Sequence, residues 1–390
     1  ITDADLVGLS GHAGNFKAQI KKNPAYVKAD KCIACGDCAA VCEVDVPMAS
    51  DKTNPRKAIY IKYPLAYPNV FTIDEKNCSR CGKCVDVCPT KAIDLEATEA
   101  QRELAVGAIV LSMGFNKTYD EIRKEYGYAH YENVVTSNEL EQALTVIEPT
   151  QGVAHRLAQE VLKVAFLQCV GSREDERNFC SAACCLIALK EAVMLKEMNP
   201  TTEVKIFYMD MRAYGKGYHR YLNRAKELGV EFIRSRVSHV EEQPNKDLEI
   251  RYTTEDDRSL KERLDVVVLS VGQTPSKKVG ELSTVLGIEL NDFGFCKTLP
   301  FSMVETTQKG ILACGSIASP KDIGESVTGG VAAAAAASQY LSPESDHKPA
   351  ARTAPSSETA APRTGIFVCG CGKEVAGAVN VDGIVEAVQS

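Results

Sequence analysis

The feature that most limits what this chain can become is a doubled spacing of cysteines. The stretch "CIACGDCAAVC" sets out Cys32, Cys35, Cys38 and Cys42, and "CSRCGKCVDVCP" sets out Cys78, Cys81, Cys84 and Cys88 with Pro89 behind them. Each run reads C-x2-C-x2-C-x3-C, tight enough for three thiolates to converge on one inorganic group. Gly36 and Gly82 permit the sharp backbone turn between ligands. The chain holds 16 cysteines in 390 residues. In a short secreted protein that would indicate disulfides, but C-x-x-C clusters in a longer chain point to metal in a reducing compartment.

Both runs resemble those of bacterial two-cluster ferredoxins, although the first lacks the proline after its fourth cysteine. In that pattern the fourth cysteine of each run ligates the other cluster. The spacing therefore assigns Cys32, Cys35, Cys38 and Cys88 to one 4Fe-4S cluster, and Cys78, Cys81, Cys84 and Cys42 to its neighbour. Zinc is the competing occupant. It takes four ligands, and the doubled pattern fits it poorly. Ferredoxin modules are grafted onto many enzymes, so this signal alone identifies no reaction.

Composition narrows the rest. A chain of this length has room for roughly two or three domains, and 45% hydrophobic content supplies real cores. A net charge of -7 with interspersed signs leaves no nucleic-acid footprint. No apolar run approaches the ~18 residues of a membrane span. The chain starts at Ile1 with no signal peptide, which suggests a piece of a longer, cytoplasmic protein.

The pattern around the cysteine runs marks them as an insert. Before them, Phe16, Ala18 and Ile20 alternate with Lys17, Gln19 and Lys21 as in a half-exposed strand. After them, "VGAIVLSMGF" predicts a buried strand over about 108–112 ending at Gly114. Helices are expected near 120–126 and 140–147, the second opened by a capping box of Thr136 and Glu139. From Leu162 onward strand and helix alternate: strands at 163–168 and 204–209, helices at 183–198 and 218–228, and short strands near Phe232, at 248–252 and at 266–271. That order implies a parallel sheet covered by helices, an α/β doubly wound arrangement.

One turn breaks the pattern. "VLKVAFLQCVGSRE" begins like a nucleotide-binding strand, but where G-x-G-x-x-G would let backbone approach a pyrophosphate it carries Cys169 and a single glycine. "NFCSAACCLIALK" follows. Cys169, Cys180, Cys184 and Cys185 thus gather between a strand end and a helix start, where amides favour an anionic cluster as they favour phosphate. The pattern suits a third 4Fe-4S cluster and argues against nicotinamide at this turn. Two alternatives stay open: buried thiols packing as small hydrophobes, and a strained Cys184-Cys185 redox pair.

These residues carry a family resemblance. "GHAGNFKAQIKKNPAYV", "LQCVGSR" with "FCSAACC", "MDMRAYGKGY", "DVVVLSVGQTP" and "ACGSIASPKDIGESVTGG" together resemble the A subunit of heterodisulfide reductase, an iron-sulfur flavoprotein of thioredoxin-reductase-like fold, over roughly 5–341. The resemblance implies thioredoxin-reductase-like Rossmann-type domains with an inserted α+β two-cluster ferredoxin domain. It also implies a cluster beside the flavin on the four cysteines at 169, 180, 184 and 185.

It further implies FAD. The strand ending at Gly114 resembles the "ATG" element of two-dinucleotide-domain flavoproteins, and "GILACGSIASPKDI" their second FAD motif, ending at Gly315. Ser316 stands where the wider superfamily has aspartate. A helix starting near Thr328-Gly329-Gly330 would aim its N-terminus at the isoalloxazine. No complete strand-G-x-G-x-x-G-helix fingerprint occurs, and the family's first one is expected upstream. The expected organisation is 1–27 and 96–160 as part of the FAD-binding domain and 28–95 as the ferredoxin insert. A Rossmann-like domain over 161–275 carries the further cysteines, and 276–341 completes the FAD-binding part. A flexible linker spans 342–363, and 364–390 opens a second module of the same family. There Cys369 and Cys371 are either further cluster ligands or structural.

The function implied is an electron-transfer subunit of a heterodisulfide-reductase-like oxidoreductase, with flavin-based electron bifurcation allowed. Implied partners are other subunits of the complex, hydrogenase or formate dehydrogenase electron-input subunits, and ferredoxin. Two rivals are an NAD(P)H-dependent reductase of glutamate-synthase small-subunit type, which needs the missing fingerprint, and a non-catalytic ferredoxin-like carrier, which needs no large scaffold. Cys296 and Cys314 read as packed thiols. His12, His130, His155, His219, His239 and His347 show no metal or triad spacing. Arg212, Lys216, His219 and Arg220 form a basic group, read as a solvated face ahead of a contact for an anionic cofactor or partner.

Overall fold

Two strands of alternating pattern open the chain. β1 (Ala4–His12) and β2 (Asn15–Lys22) form an antiparallel pair, and β2 buries Phe16 and Ala18 while its lysines stay out. The computed structural model describes residues 1–46, 55–62, 67–116, 125–145, 153, 156–157, 162–175, 177–215, 217–341 and 380–389. After β2 the chain runs through α1 (Asp37–Ala40), β3 (Asp45–Val46), β4 (Arg56–Lys57), β5 (Ile59–Ile61), β6 (Phe71–Ile73) and α2 (Lys83–Asp86). It then returns as β7 (Ala100–Val106), which pairs with β2 from Lys22–Ala100 to Phe16–Val106. The intervening segment has its own small core of Cys38, Ile59, Phe71 and Ile93, and a Val27–Ile93 bridge closes its neck.

Beyond β7 come β8 (Ile109–Leu111), β9 (Val134–Thr136) and α3 (Ser137–Thr145). The expected capping box is present: Glu139 N donates to Thr136 Oγ1 at 3.3 Å and Thr136 N to Glu139 Oε2 at 2.8 Å. It starts the helix at Ser137, three residues before the expected Leu140. Most of the helix expected at 120–126 lies outside the described residues, though Tyr126 is buried.

The main sheet is built from β10 (Lys163–Val170), β11 (Glu203–Tyr208), β12 (Glu231–Arg234) and β16 (Val266–Val271) together with β9, in the order β12-β11-β10-β16-β9, all parallel. Its central strands β10 and β16 are near-continuous apolar runs because both of their faces are covered. The period of two divides them. Val164 and Phe166 face α3, α4 (Cys184–Met198) and α5 (Tyr218–Glu227), against Leu140, Leu189, Ala192 and Ala225. Ala165 and Leu167 face the other way, against Val240, Ile250 and Leu264.

That second face is covered by an antiparallel meander, where the sequence pattern led us to expect helices. Its strands are β13 (His239–Glu242), β14 (Leu248–Thr253) and β15 (Ser259–Leu264). The strand expected at 248–252 is thus the middle of this meander and not a member of the parallel sheet. Its flanking strands are short or charged, which hid them from an alternation reading.

A second, two-stranded parallel sheet joins β8 to β17 (Ile311–Ala313). It packs with Phe16, Val279 and Leu286, the latter two on α6 (Lys278–Leu286). Only Leu111 of β8 is well buried and Val110 is 43% exposed, so the buried strand expected at 108–112 is covered on one side only. α7 (Ile323–Ser338) packs along these strands. A separate compact unit spans Pro343–Ser390, and its described part is α8 (Val381–Gln389). The linker expected at 342–363, Cys369 and Cys371 lie outside the described residues, as do Lys216, His155 and His347.

Phe166 is fully buried at the centre of the parallel sheet. Phe166→Ala is expected to lower unfolding stability by about 3–5 kcal/mol through lost burial plus a residual cavity, read as a lower denaturation midpoint by far-ultraviolet circular dichroism.

Candidate metal and cofactor centres

Cysteine-lined cavities occur at three places. Cys32, Cys35, Cys38 and Cys88 line one of about 320 Å³, with Val27, Phe71 and Ile93 as apolar walls. Cys42, Cys78, Cys81 and Cys84 line another of about 360 Å³. Each cavity therefore takes three cysteines from one run and the fourth from the other, the same grouping that the spacing assigns. Cys169, Cys180, Cys184 and Cys185 line a third, of about 290 Å³, together with Ser172, Ser181, Arg173, Asp210 and Arg212. All twelve are free thiols, including the adjacent Cys184 and Cys185.

Among the described residues, no three His, Cys, Asp or Glu side chains converge closely enough to hold a single metal ion. Zinc at about 2.3 Å from sulfur would need its thiolates within about 4 Å of one another. A cube presents a different iron to each of its thiolates.

The local backbone explains how the sulfurs turn inward. Two residues after each leading cysteine stands a non-glycine residue in the left-handed region: Ala34 after Cys32 (φ 56°), Arg80 after Cys78 (φ 53°) and Ala182 after Cys180 (φ 57°). Such backbone persists only where its surroundings enforce it. In two of the turns that residue's N–H is aimed back at the cysteine: Arg80 N to Cys78 Sγ and Ala182 N to Cys180 Sγ, both 3.4 Å. Gly36 and Gly82, at φ 95° and 80°, then start α1 and α2. Cys169 reaches the third cavity differently. It too is left-handed (φ 64°), at a register irregularity between Leu167 and Val170 of β10, and such a bulge re-aims a side chain.

Burial governs the thiols. It pushes Cys38 and Cys185 up to about 11 and raises Cys84 and Cys184. Cys169 is raised by burial against the pull of Arg173. The Lys83 backbone N–H and the Ser79 hydroxyl hold Cys81 below the usual thiol range. At Cys88 burial is outweighed by hydrogen bonds from Ala92 and Thr90, and the thiol lies low. A thiol held high by burial gives up its proton when a metal arrives, so ligation and deprotonation are coupled. Cys296 and Cys314 are buried, Cys296 pushed up to about 11, and neither lines these cavities.

The third cavity is tied to the second sheet. Ser172 Oγ and Ser181 Oγ are 2.7 Å apart, and Gln273 N donates to Ser181 Oγ at 3.0 Å. The Gln273 amide then grips the backbone of Lys321 twice, Nε2 to the carbonyl at 2.9 Å and Oε1 from the N–H at 3.1 Å. Tyr218 Oη donates to Asp322 Oδ2 at 2.9 Å alongside.

At that sheet, β8 and β17 run in parallel to their carboxyl ends, the usual ligand side of an α/β sheet. Gly114 and Gly315 turn away there with φ 70° and 69°, and Ser316 is buried. At Gly329 an added Cβ would make ordinary contact, 3.6 Å from Gly315 N, while at Gly330 it would meet open space. Two turns with room for close backbone approach fit a flavin nucleotide. The helix start, however, differs from the expected Thr328–Gly330. α7 begins at Ile323, so Gly329 and Gly330 lie inside it with their amides in its ladder. Its N-terminus is capped by the chain's own carboxylates, Glu325 N donating to Asp322 Oδ1 at 2.7 Å and Asp322 N to Glu325 Oε2 at 3.0 Å.

Sequence reasoning missed Arg173, Asp210, Ser172, Ser181, Gly272 and Gln273. Arg212 parts from the basic group to line the cysteine cavity, while His219 and Arg220 are exposed. His12, His130 and His239 are exposed as well. The signal was present in "GSRE" and "MDMRAYGKGY", where charges follow a strand end.

Models of the 4Fe-4S dicluster domain match residues 31–92 and 71–126, so the chain carries such an iron-sulfur domain. The iron-sulfur A subunit of CoB--CoM heterodisulfide reductase from Methanocaldococcus jannaschii is 40% identical over 351 residues, 87% of this chain and 53% of that protein. In Methanopyrus kandleri, the second of two A subunits of the same reductase is 41% identical over 350 residues, again 87% and 53%. The A subunit of the H(2)/formate:CoB-CoM heterodisulfide,ferredoxin reductase from Methanococcus maripaludis is 38% identical over 349 residues, 86% and 53%. The chain thus spans about half the length of the curated relatives it matches. Among solved structures, Lactococcus lactis thioredoxin reductase overlaps 73% of this chain and 85% of its own, at 17% identity and a TM-score of 0.41. The architecture described above stands on its own strand order. Among the described residues no helix is long and apolar enough to cross a membrane.

Gly272 admits no side chain: a Cβ there would lie 2.1 Å from Ser172 Oγ and 2.3 Å from Ser181 Oγ. Gly272→Ala is expected to cost about 1–3 kcal/mol by overpacking, and a S172A/S181A background should recover most of it, both read as shifts in the thermal midpoint.

Proposed function

As the chain is a relative of the A subunit of heterodisulfide reductases, we propose that it is the iron-sulfur flavoprotein electron-transfer subunit of such an oxidoreductase complex, acting in the cytoplasm. When bound, 4Fe-4S clusters exchange electrons singly and FAD exchanges them in pairs. Cys32, Cys35, Cys38 and Cys88 hold one cluster, and Cys42, Cys78, Cys81 and Cys84 its neighbour. Cys169, Cys180, Cys184 and Cys185 hold a third. Gly114, Gly315, Ser316, Gly329 and Gly330 shape the flavin cradle, and Gln273 fixes the third cavity against the turn that leads into α7.

The observation that carries the third site is the shared turn. Cys180-Ser181-Ala182 repeats the backbone of Cys78-Ser79-Arg80, left-handed at the third residue with that N–H returned to the cysteine at 3.4 Å. Thiols that merely pack need no such turn. The cavity also favours cluster ligation over a nicotinamide reading, because cysteines and Arg173 occupy the turn where phosphate-binding glycines would stand.

Partners follow as part of the same proposal. Other subunits of the complex would exchange electrons with this chain, with hydrogenase or formate dehydrogenase subunits as input and ferredoxin as one acceptor. A relative named for both heterodisulfide and ferredoxin supports including flavin-based electron bifurcation for the assembled complex.

Cys184→Ala in anaerobically purified protein is expected to remove about four irons per chain, the content of one cube, and to leave the dicluster paramagnetic signals unchanged. Unchanged iron would refute the third cluster. Separately, Cys42→Ser is expected to perturb the signal of the cluster built on Cys78, Cys81 and Cys84. Loss confined to the cluster built on Cys32, Cys35 and Cys38 would refute the crossed ligand set.

A further inference from the structure

The cavities differ in charge. No charged side chain lines the one formed by Cys32, Cys35, Cys38 and Cys88. Arg80 and Lys83 line the second, but each is about half exposed and spent on a carboxylate of its own, Arg80 on Glu75 at 3.1 Å and Lys83 on Glu43. The third is lined by two guanidiniums that share one carboxylate. Arg173 Nη1 contacts Asp210 Oδ1, and Arg212 Nε donates to Asp210 Oδ2 at 2.8 Å. Two cations against one anion leave one positive charge facing the four sulfurs. Arg173 is the better shielded of the two, its side chain 24% exposed against 39% for Arg212.

Reduction of a cube adds one electron and no proton, so its net negative charge rises by one. A neighbouring cation stabilises the reduced form more than the oxidised form, and less water between them strengthens the effect. Asp210 holds both guanidiniums at the cavity and subtracts part of their field.

We infer that the Arg173–Asp210–Arg212 bridge sets the potential of the third cluster, making it the highest of the three, with the Cys32 cluster lowest. Electrons within this chain then settle at the third site, next to the flavin turn, rather than in the insert. The arginines touch no reacting flavin atom; they are potential-setting residues. The inference rests on the third cluster proposed above.

The test is a potentiometric titration of the full chain, purified anaerobically and followed by electron paramagnetic resonance, with iron content measured on the same samples. The wild-type third signal should appear at the most positive potential of the three. Arg212→Gln should move it to more negative potential, and Asp210→Asn to more positive potential, with the dicluster midpoints unmoved. Opposite signs are the discriminating result, since a variant that only loosened the loop would not shift in a direction that follows the sign of the charge removed. A third signal more negative than either dicluster signal, or shifts of one sign or none in both variants, would overturn the inference. If one variant does not fold, the wild-type order decides it. About eight irons and no third signal in the wild type, the content of two cubes alone, would instead remove the third cluster on which it rests.

Discussion

An iron-sulfur site requires sulfurs that point inward from backbone that would otherwise turn them out, and here one device does this repeatedly. A residue two positions after the leading cysteine enters the left-handed region, and the amide that this frees is directed at sulfur at Arg80 and Ala182. For alanine and arginine that conformation is uphill. It is maintained by the helix or strand that follows and by the small core behind it. Stability of the scaffold and placement of the ligands are therefore the same property, while burial that raises the thiols keeps them protonated until a metal displaces the proton.

The parallel sheet gives the third site its position. Because β10 and β16 are buried on both faces, their carboxyl ends cannot shift independently, and Cys169 and Gly272 leave the sheet side by side. The double grip of Gln273 on Lys321 then carries that rigidity across to the β8–β17 sheet. The Tyr218–Asp322 hydrogen bond and the Asn116–Thr274 bridge reinforce that link.

Much of this was legible in the sequence, for physical reasons. The ligand grouping follows from a spacing with few geometric solutions, and β10, β16 and α4 follow from long apolar runs of unambiguous period. What was not legible had weak local signals. The outer strands of the meander, His239–Glu242 and Ser259–Leu264, are short or charged, and the packing of the meander over Ala165 and Leu167 is purely tertiary. The true start of α7 is set by Asp322 and Glu325, a capping pair whose local signal is short beside the glycine pair further on. Arg173, Asp210 and Arg212 are ordinary surface letters until β10 and β11 bring their loops to one end of the sheet.

The pairing of β2 with β7 has a consequence for how such a molecule can be assembled. Lys22 and Ala100 are partners across one strand spacing, so the whole cysteine-rich segment hangs from the tip of a hairpin. Loop-closure entropy grows only slowly with loop length. The scaffold therefore experiences the segment as little more than a long hairpin loop whose ends it already holds together. A module attached in this way can be gained, lost or exchanged without disturbing the register of the strands that carry it, and the wiring of the molecule can change while its framework stays the same.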